Sequence, residues 1–345
     1  MTVRRRPAPV TFVLLLVALS GVSGILHALP VGPDSAANPA RLPGQTLSPL
    51  PDASLPLPES TKNGAEVWAY LLSGEERNLK PTLPVTDLVY FSAEINAYGE
   101  LVNVPDIRKV ARFSGRVHLV IAEIGSYPLT HFCLDPAYPV RDSLVSAIVA
   151  AAAPYDGVQI DFEAIPVRDR DNFVEFLRIL KAALPGKVLS VALPARVSAS
   201  GDVLGYARIA AIVDRIIIMA YDEHWSTSDP GPVASIEWGL RVARYVQSQI
   251  PADRLVMGIP FYGRSWTDKR LARAWQHEGV SNILAARPGT PVARKDGVPW
   301  FTYDATVTVT VWYDDSASIA ERLRAYEGQG VRSVALWRLG PGDTQ

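Results

Sequence analysis

The sequence predicts an α/β protein built as a (β/α)8 TIM barrel, and three observations lead to this fold class. From residue 66 onward, short apolar runs alternate with amphipathic stretches, which is typical of repeated βα units around a parallel sheet. The runs are almost continuously apolar, as expected of strands that helices cover on both faces. Eight such runs occur in roughly 280 residues, the strand number and size of such a barrel. An open, doubly wound sheet is the alternative, but no glycine-rich phosphate turn follows any run.

The eight predicted strands leave room for a helix between most neighbours. The strands are predicted at residues 67–72, 87–93, 117–124, 157–162, 188–193, 215–220, 255–260 and 333–337. Amphipathic helices are predicted at residues 140–153, 171–184, 204–213, 233–250 and 316–327. No internal repeat of fixed period accompanies them.

Two crossovers depart from the regular pattern. The first, residues 75–86, contains two prolines and is predicted to be a loop rather than a full helix. Between strands seven and eight, residues 267–311 are longer than a crossover needs, and the alternating threonines and valines at 306–311 predict β structure. We therefore expect a small insertion between strands seven and eight, beside the mouth of the barrel.

The end of the barrel predicts a missing or truncated final helix, because only residues 341–345 remain after the segment 333–340 that contains the eighth strand. The outward side chains of Val334 and Leu336, and with them Arg338, would then lack their usual cover. Leaving two large apolar side chains exposed forgoes roughly 1.5–3 kcal/mol each. We therefore expect a substitute cover: the segment before the barrel, a neighbouring helix shifted over the gap, or a second molecule.

The residues before the barrel predict export. Three consecutive arginines precede an apolar run at residues 10–19, the arrangement of a secretory signal peptide. Residues 1–29 are therefore predicted to be a signal peptide or, if they are not cleaved, an N-terminal membrane anchor. Residues 30–62 carry eight prolines without an apolar period and are predicted to be a disordered linker. Residues 63–345 form the predicted barrel domain, secreted or tethered to the outer face of the cell membrane.

Composition narrows the classes of partner. The net charge is −1, with 34 basic and 35 acidic residues, so a nucleic-acid partner is not expected and a neutral polymer fits better. The single cysteine, Cys133, rules out an internal disulfide framework. The five histidines show no metal-binding spacing, and no phosphate-loop or dinucleotide motif is present. We expect neither a metal nor a cofactor, and we expect the domain to act as a monomer.

The segment from Asp156 to Glu163 carries the strongest chemical signal. Because side chains alternate along a strand, Gln159, Asp161 and Glu163 share one face, while the other face is apolar. Two carboxylates this close on a rigid strand cannot both ionise easily, so one stays ionised and the other keeps its proton. Such a pair suits a general acid near neutral pH. Two ordinary surface acids at a solvated strand end are the alternative, which the apolar flanks disfavour.

Polar and aromatic residues also follow other predicted strands at their carboxyl ends, the side where barrel enzymes carry their catalytic groups. They are Tyr221 and Asp222 after strand six, Tyr262 and Arg264 after strand seven, and Trp337 at the end of strand eight. Their convergence on one rim is difficult to explain by packing alone and indicates an active site.

Four motifs in this order resemble the signature motifs of glycoside hydrolase family 18, which contains chitinases and related N-acetylglucosaminidases. They are the D-G-x-x-x-D-x-E pattern of residues 156–163, the segment MAYD at 219–222, the segment GIPFYGR at 258–264 and the segment ALWRLG at 335–340. Their wording is most similar to that of bacterial cell-surface and spore-cortex-lytic members. The resemblance spans most of residues 66–340 and departs at Gln159, where many members carry a further aspartate.

The resemblance implies a retaining, substrate-assisted hydrolysis of β-1,4-linked polymers that contain N-acetylglucosamine, with peptidoglycan as the first choice and chitin as the second. Glu163 would be the general acid and later the base, and Asp161 would hold the N–H of the sugar's acetamide. Tyr221 would orient the acetamide carbonyl, and Trp337 would form the apolar floor under the sugar ring. The other expected sugar contacts are Asp222, Tyr262, Arg264, Gln159 and Met219.

Two other functions stay open on the sequence. Chitinase-like lectins use the same barrel for sugar binding without catalysis, but they commonly lack the acid, which is present here as Glu163. A structural surface protein whose barrel only scaffolds a partner is the third possibility. Gln159 cannot accept a proton from Asp161, so it should lower the pKa of the acid pair relative to an aspartate there, unless it only fills space in the barrel.

Overall fold

A computed structural model of the protein describes residues 65–80, 84–267, 270–305 and 308–340. The predicted signal segment and linker, residues 1–62, lie outside this part of the chain, as do residues 341–345. None of the helices in the described part combines the length and the apolar character needed to cross a membrane.

Eight parallel strands close into a barrel, as the sequence predicts. The barrel strands are β1 (Val67–Leu72), β2 (Asp87–Ile95), β4 (Arg116–Glu123), β5 (Gly157–Phe162), β6 (Val188–Pro194), β7 (Arg215–Met219), β8 (Leu255–Pro260) and β14 (Ser333–Trp337). A short strand, β3 (Leu101–Val102), pairs antiparallel with β2 outside the barrel. Parallel pairing of β1 with both β2 and β14 closes the sheet. All eight predicted strands are confirmed, with ends that differ by at most two residues.

The helices of the described part surround the sheet or lie in the insertion. They are α1 (Tyr127–Leu134), α2 (Val140–Ala151), α3 (Arg170–Ala183), α4 (Tyr206–Ala210), α5 (Ile236–Gln247), α6 (His277–Ala285) and α7 (Ser316–Gly328). Helix α4 is shorter than predicted, and the described residues of the first crossover hold no α-helix, as expected. Helix α1 escapes the sequence analysis because it has only eight residues, with Pro128 in its first turn. The Ser126 hydroxyl caps it by accepting the N–H of Leu129 at 3.2 Å.

The insertion between the seventh and eighth barrel strands is larger than predicted and begins directly after β8. Its strands are β9 (Tyr262–Thr267), β10 (Arg270–Gln276), β11 (Ala293–Lys295), β12 (Val298–Asp304) and β13 (Thr308–Trp312). They form an antiparallel sheet in the order β10-β9-β13-β12-β11, and α6 connects β10 to β11. The β structure predicted at residues 306–311 corresponds to β13 in the described residues. Because only Phe261 separates β8 from β9, the insertion carries Tyr262 and Arg264 to the mouth of the barrel.

Because side chains alternate between the two faces of each strand, apolar residues form one layer inside the barrel and another between the barrel and the helices. The inner layer consists of Trp68, Tyr70, Val89, Val120, Ile217, Val256 and Ala335. On β5, by contrast, Val158, Ile160 and Phe162 belong to the outer layer, which also contains the helix side chains. Gln159 and Asp161 are buried on the opposite face, so the predicted division of this strand is confirmed.

Gly157 of the acid motif has a packing role at the amino end of β5. A Cβ atom there would lie 2.3 Å from Nδ1 of His118 and 2.6 Å from the carbonyl oxygen of Val188. His118 is completely buried, stacks on Trp68 with 4.4 Å between the rings, and bonds to Asp87. Only a residue without a side chain lets β5 pass this close to the histidine.

The outer face of β14 is not left bare. Val334 and Leu336 are 6% and 7% exposed. Both belong to the same buried cluster as Ile319 of α7, which fits cover by a neighbouring helix. No helix follows β14 within the described residues, which end at Gly340.

Candidate active site

The predicted site residues meet at the carboxyl end of the barrel. Asp161 lies on β5 and Glu163 directly after it, Tyr221 and Asp222 follow β7, Tyr262 and Arg264 lie on β9, and Trp337 ends β14. Since the carboxyl ends of parallel strands share one rim, residues distant in sequence become neighbours. Hydrogen bonds and ring contacts organise them into one group around Asp222 and another around Trp337.

Asp161 and Glu163 differ in their exposure. Asp161 is 4% exposed, and its Oδ1 has no hydrogen-bond partner among the described residues. Glu163 is exposed at the strand end, and its backbone N–H donates to the carbonyl of Glu123 at 2.9 Å. The mouth of the barrel, where the strands have their carboxyl ends, is called the cleft below. The Glu163 carboxyl is open to a ligand in this cleft, whereas the Asp161 carboxyl is withdrawn from solvent.

The acid pair holds protons more tightly than free carboxyls do. Burial raises the pKa of Asp161, and the charge of Glu163 raises it further. Partial withdrawal from solvent also raises the pKa of Glu163, although its side chain opens to the cleft, and the charges of Asp222 and Glu123 add to the effect. No cation of the described residues opposes these shifts, so the pair retains a proton toward neutral pH.

Asp222 is held by the insertion. Its Oδ1 accepts bonds from Nε and Nη2 of Arg264, at 3.1 and 2.8 Å, and from the hydroxyl of Tyr262. Arg264 is only 6% exposed, whereas the side chain of Asp222 is 35% exposed. Asp222 adopts a positive φ of 59°. Tyr221 lies edge-on to Tyr262 at 6.2 Å between ring centroids. Withdrawal from solvent raises the pKa of Tyr221 well above its usual range, so its hydroxyl remains a hydrogen-bond donor.

Gly258, which opens the third motif, makes room for Tyr221. A Cβ atom on Gly258 would lie 3.0 Å from Cε1 of the tyrosine ring and 2.7 Å from the carbonyl oxygen of Ile218. A side chain would push either the ring or the neighbouring strand aside. The glycine of this motif therefore serves the placement of the tyrosine in the motif before it.

Three aromatic rings lie together at the mouth of the barrel. Trp337 meets Tyr70 edge-on at 5.0 Å and Phe91 edge-on at 5.5 Å between ring centroids. Trp337 and Phe91 keep partial exposure, whereas Tyr70 is buried. An aromatic surface that is open on one side suits the stacking of a sugar ring. Met219 ends β7, is partly exposed and pairs in register with Pro194 of β6.

Gln159 is engaged below the cleft. Its Oε1 accepts the hydroxyl of Tyr70 at 2.5 Å, and its Nε2 donates to Oγ of Ser190 at 3.2 Å. The side chain is completely buried. These bonds favour a role in filling the barrel interior over direct contact with a sugar. Within the described residues, no hydrogen bond joins Gln159 to Asp161.

Sequence reasoning misses three residues at this site, namely Tyr70, Phe91 and Glu123. Tyr70 lies two residues after Trp68 on the predicted first strand, so both rings point to the same face of the sheet, the barrel interior. The alternation along this strand could therefore have indicated two inward aromatic rings. Phe91 lies on the second predicted strand without a distinguishing pattern. Glu123 ends β4, and only the pairing of β4 with β5 brings it beside Glu163.

One cluster of described residues outside this site combines a histidine with two carboxylates. The ligand atoms of His131, Asp135 and Asp169 all lie within 4.8 Å of one another. Asp169 already accepts a bond from Asn172 at 3.0 Å and lies 2.9 Å from Nδ1 of His131, so the protein itself satisfies its carboxylate. The cluster joins α1 to the start of α3, and none of its members is a predicted site residue.

Comparisons with known proteins agree with the fold and the motifs. Residues 81–341 match the family model of glycosyl hydrolases family 18. The chain is similar to the cortical fragment-lytic enzyme of Bacillus anthracis, with 28% identity over 323 residues, which are 82% of this chain and 73% of that protein. It is also similar to the class V chitinase of Arabidopsis thaliana, with 25% identity over 244 residues, which are 59% of this chain and 63% of that protein.

Among solved structures, the spore cortex-lytic enzyme SleL of Bacillus cereus has a TM-score of 0.73 and 26% identity, covering 80% of this chain and 71% of that chain. The chain spans between 51% and 73% of the length of the first curated relatives that it matches. The family match covers most of the barrel and includes all four motifs. The chain therefore belongs to glycosyl hydrolase family 18, a family of glycosidases, as the resemblance of its motifs predicts.

Proposed function

We propose that this protein is an exported glycosidase that cleaves β-1,4-linked polymers containing N-acetylglucosamine by a retaining, substrate-assisted reaction. The observation that carries the proposal is the acid pair at the end of β5. Both carboxyls have a raised pKa, and that of Glu163 is open to the cleft. A proton held toward neutral pH beside an open cleft is what a leaving glycosidic oxygen requires.

In the first step, Glu163 donates its proton to the glycosidic oxygen while the bond from that oxygen to the anomeric carbon breaks. The carbonyl oxygen of the sugar's own 2-acetamido group forms the new bond to this carbon, which gives an oxazolinium ion. Asp161, as a carboxylate, accepts the acetamide N–H and balances the positive charge. Its Oδ1 has no partner among the described residues, which supports this role.

In the second step, Glu163 accepts a proton from a water molecule whose oxygen adds to the anomeric carbon. The oxazolinium ring opens, the acetamide is restored, and Glu163 is a carboxylic acid again. The configuration of the sugar is retained because two displacements occur at the same carbon. Tyr221 donates its hydroxyl to the acetamide carbonyl during both steps, and Trp337 stacks on the ring.

Peptidoglycan is the first choice of substrate and chitin is the second. Cortex-lytic enzymes are among the similar proteins, and so is a plant chitinase. The net charge of −1 also fits a glycan better than a polyphosphate. The arginines and the apolar run of residues 1–29 support export, which would bring the enzyme to polymers outside the membrane.

The test is incubation of the protein with purified peptidoglycan and with chitin oligomers, followed by identification of the products by mass. We expect fragments with a new reducing N-acetylglucosamine end. Partly deacetylated polymers should resist cleavage, because a free amine offers no carbonyl oxygen to attack the anomeric carbon. Equal rates on acetylated and deacetylated substrates would exclude the substrate-assisted route. Binding without any product would instead indicate a carbohydrate-binding protein on the same barrel.

A further inference from the structure

A third carboxylate, that of Glu123, lies next to the acid pair without being part of it. Glu123 ends β4 opposite Phe162 of β5, and its carbonyl accepts the N–H of Glu163 at 2.9 Å. Side chains at paired positions of neighbouring strands leave the sheet on the same side. The Glu123 carboxylate therefore lies on the outer side with Phe162, while Asp161 points inward, and it stands behind the acid rather than in the cleft.

Helix α1 and the turn before it hold Glu123 in place. Oε1 accepts the N–H of Ser126 at 2.8 Å and that of Gly125 at 3.3 Å, and Oε2 accepts the hydroxyl of Thr130 at 2.5 Å. The side chain is only 8% exposed. Both oxygens act as acceptors, which is the role of the ionised form. A glutamine could accept the same two backbone N–H groups, so these bonds alone do not call for a charge.

No cation neutralises this charge in the described part of the chain. Glu123 takes part in no ion pair there, whereas Asp222 is paired with Arg264 at 2.8 Å. A sheltered charge without a counterion acts over a longer distance than a paired one, since neither water nor a cation screens it.

The remaining titratable groups around Glu163 differ from Glu123 in this respect. Asp161 shares a proton with Glu163, and withdrawal from solvent raises the pKa of Tyr221 and of Tyr262, so both are neutral. The charge of Asp222 is opposed by that of Arg264. Apart from Asp161 of the pair itself, Glu123 is therefore the carboxylate near the acid that has no counterion among the described residues.

We propose that Glu123 is a positioning residue whose fixed negative charge holds the transferable proton on Glu163 and so extends hydrolysis to higher pH. The inference rests on the role of Glu163 as the general acid proposed above. Of the causes that raise the pKa of Glu163, loss of solvent comes first, followed by the charges of Asp222 and Glu123. Glu123 touches no substrate in this scheme and acts through Glu163 alone.

The first test is the pH profile of kcat/KM for Glu123→Gln, which removes the charge and keeps an acceptor for the backbone N–H groups. We expect the basic limb to move to lower pH by about half to one unit, so that activity above the limb falls roughly three- to tenfold. Thr130→Val removes one bond to Glu123 but keeps its charge, so it should leave the limb in place. The proposal is contradicted if folded Glu123→Gln keeps the basic limb of the wild type and is destabilised as much as Thr130→Val. Glu123 would then only support helix α1.

A second test leaves Glu123 itself unchanged. A Cβ atom added at Gly125, an exposed position whose φ lies outside the left-handed region, meets nothing within 4 Å. The backbone N–H of Gly125 donates to Oε1 of Glu123 at 3.3 Å, so Gly125→Lys adds a cation within reach of this carboxylate and should move the basic limb in the same direction as Glu123→Gln. Gly125→Gln is the neutral control and should not move it. Equal profiles for the two Gly125 variants would contradict the proposal, even if Glu123→Gln fails to fold.

Titration of the Glu163 carboxyl tests the role of Glu123 independently of whether the protein is a glycosidase. Carbon-13 NMR of labelled glutamate side chains measures the pKa of the Glu163 carboxyl without turnover, and Glu163→Gln identifies its signal. We expect this pKa to fall in Glu123→Gln and in Gly125→Lys. A pKa that stays unchanged in both overturns the role of Glu123, whether or not the protein hydrolyses a glycan.

Discussion

The two ends of the barrel hold carboxylates in opposite surroundings. At the amino end, Glu66 accepts bonds from Arg116 and Arg215 at 2.6 to 2.8 Å. Asp87 accepts bonds from Arg116 and from His118, both at 2.7 Å. Burial alone would raise the pKa of Glu66, but the bonds from the two arginines outweigh it and lower the pKa to about 2. The pKa of Asp87 is lowered against burial in the same way.

At the carboxyl end, loss of solvent around the carboxyls acts with no cation of the described residues to oppose it. The pKa of Asp161 rises, and so does that of Glu163. The same residue type on the same barrel therefore anchors the fold at one end and holds a proton for chemistry at the other. The placement of arginines, rather than the acids themselves, makes the difference.

Glu163→Gln removes the proton that the carboxyl end holds, and it should have the largest effect. We expect hydrolysis to fall by roughly 10²–10⁴-fold with glycan binding nearly intact, because only the transferable proton is lost. Product release and calorimetric binding of chitin oligomers measure the two quantities. Glu94→Gln, at an exposed acid near the end of β2, is the control and should keep full activity. A Glu163 variant that retains more than about a tenth of the rate would point to another acid.

Asp87→Asn breaks the ion pairs of the amino end and should mainly reduce stability. Asp87 is completely buried, and its replacement leaves Arg116 and His118 facing a neutral amide instead of a carboxylate. We expect the free energy of unfolding to fall by roughly 3 kcal/mol. Urea denaturation measures it, with Asp142→Asn, at an exposed acid of α2, as the control. A decrease in the free energy of unfolding of less than about 1 kcal/mol would mean that solvent screens the ion pairs of Asp87 as it screens those on a protein surface.

The raised pKa values at the carboxyl end should make stability fall with rising pH. The folded protein keeps a proton that the unfolded chain releases near pH 4, so the free energy of unfolding decreases from about pH 4 toward neutral pH. Asp161→Asn removes one of the two charges and should stabilise the protein at pH 8 by about 1–2 kcal/mol, with little effect near pH 4.

Glu66→Gln should show the reverse dependence on pH. Its carboxylate stabilises the folded state above the pKa of about 4 in the unfolded chain, and this contribution is lost as the pH falls toward 2. The destabilisation caused by the variant should therefore shrink in acid. Melting temperatures between pH 3 and 9 measure both variants. Parallel curves for the Asp161 variant and the wild type would show that the acid pair does not titrate in this range.

Deletion of residues 30–62 should have the smallest effect. Val334 and Leu336 share a buried cluster with α7, so we expect cover by this helix and a change in melting temperature of less than about 2 °C. Thermal unfolding of the full chain and of the deletion variant measures the difference. A drop of several degrees would identify the linker as the cover of β14.

Most of the barrel could be predicted from sequence, but several parts of the site could not. The strands were predictable because each is an apolar run, and the rim residues because they follow such runs. Helix α1 was too short for its period to be recognised. The hydrogen bonds of Gln159 to Tyr70 and Ser190 join three different strands, and no local pattern in the sequence predicts them.

The sequence by itself determined which residues share a face and in what order the strands follow one another, because both depend on a repeat of two residues and on local apolar content. It thereby placed Asp161 and Glu163 together. Only the tertiary structure decided which acids meet a cation, since Glu66 finds its arginines across the closed barrel. The same closure leaves Asp161 without one among the described residues, and a pKa follows such through-space neighbours rather than neighbours along the chain.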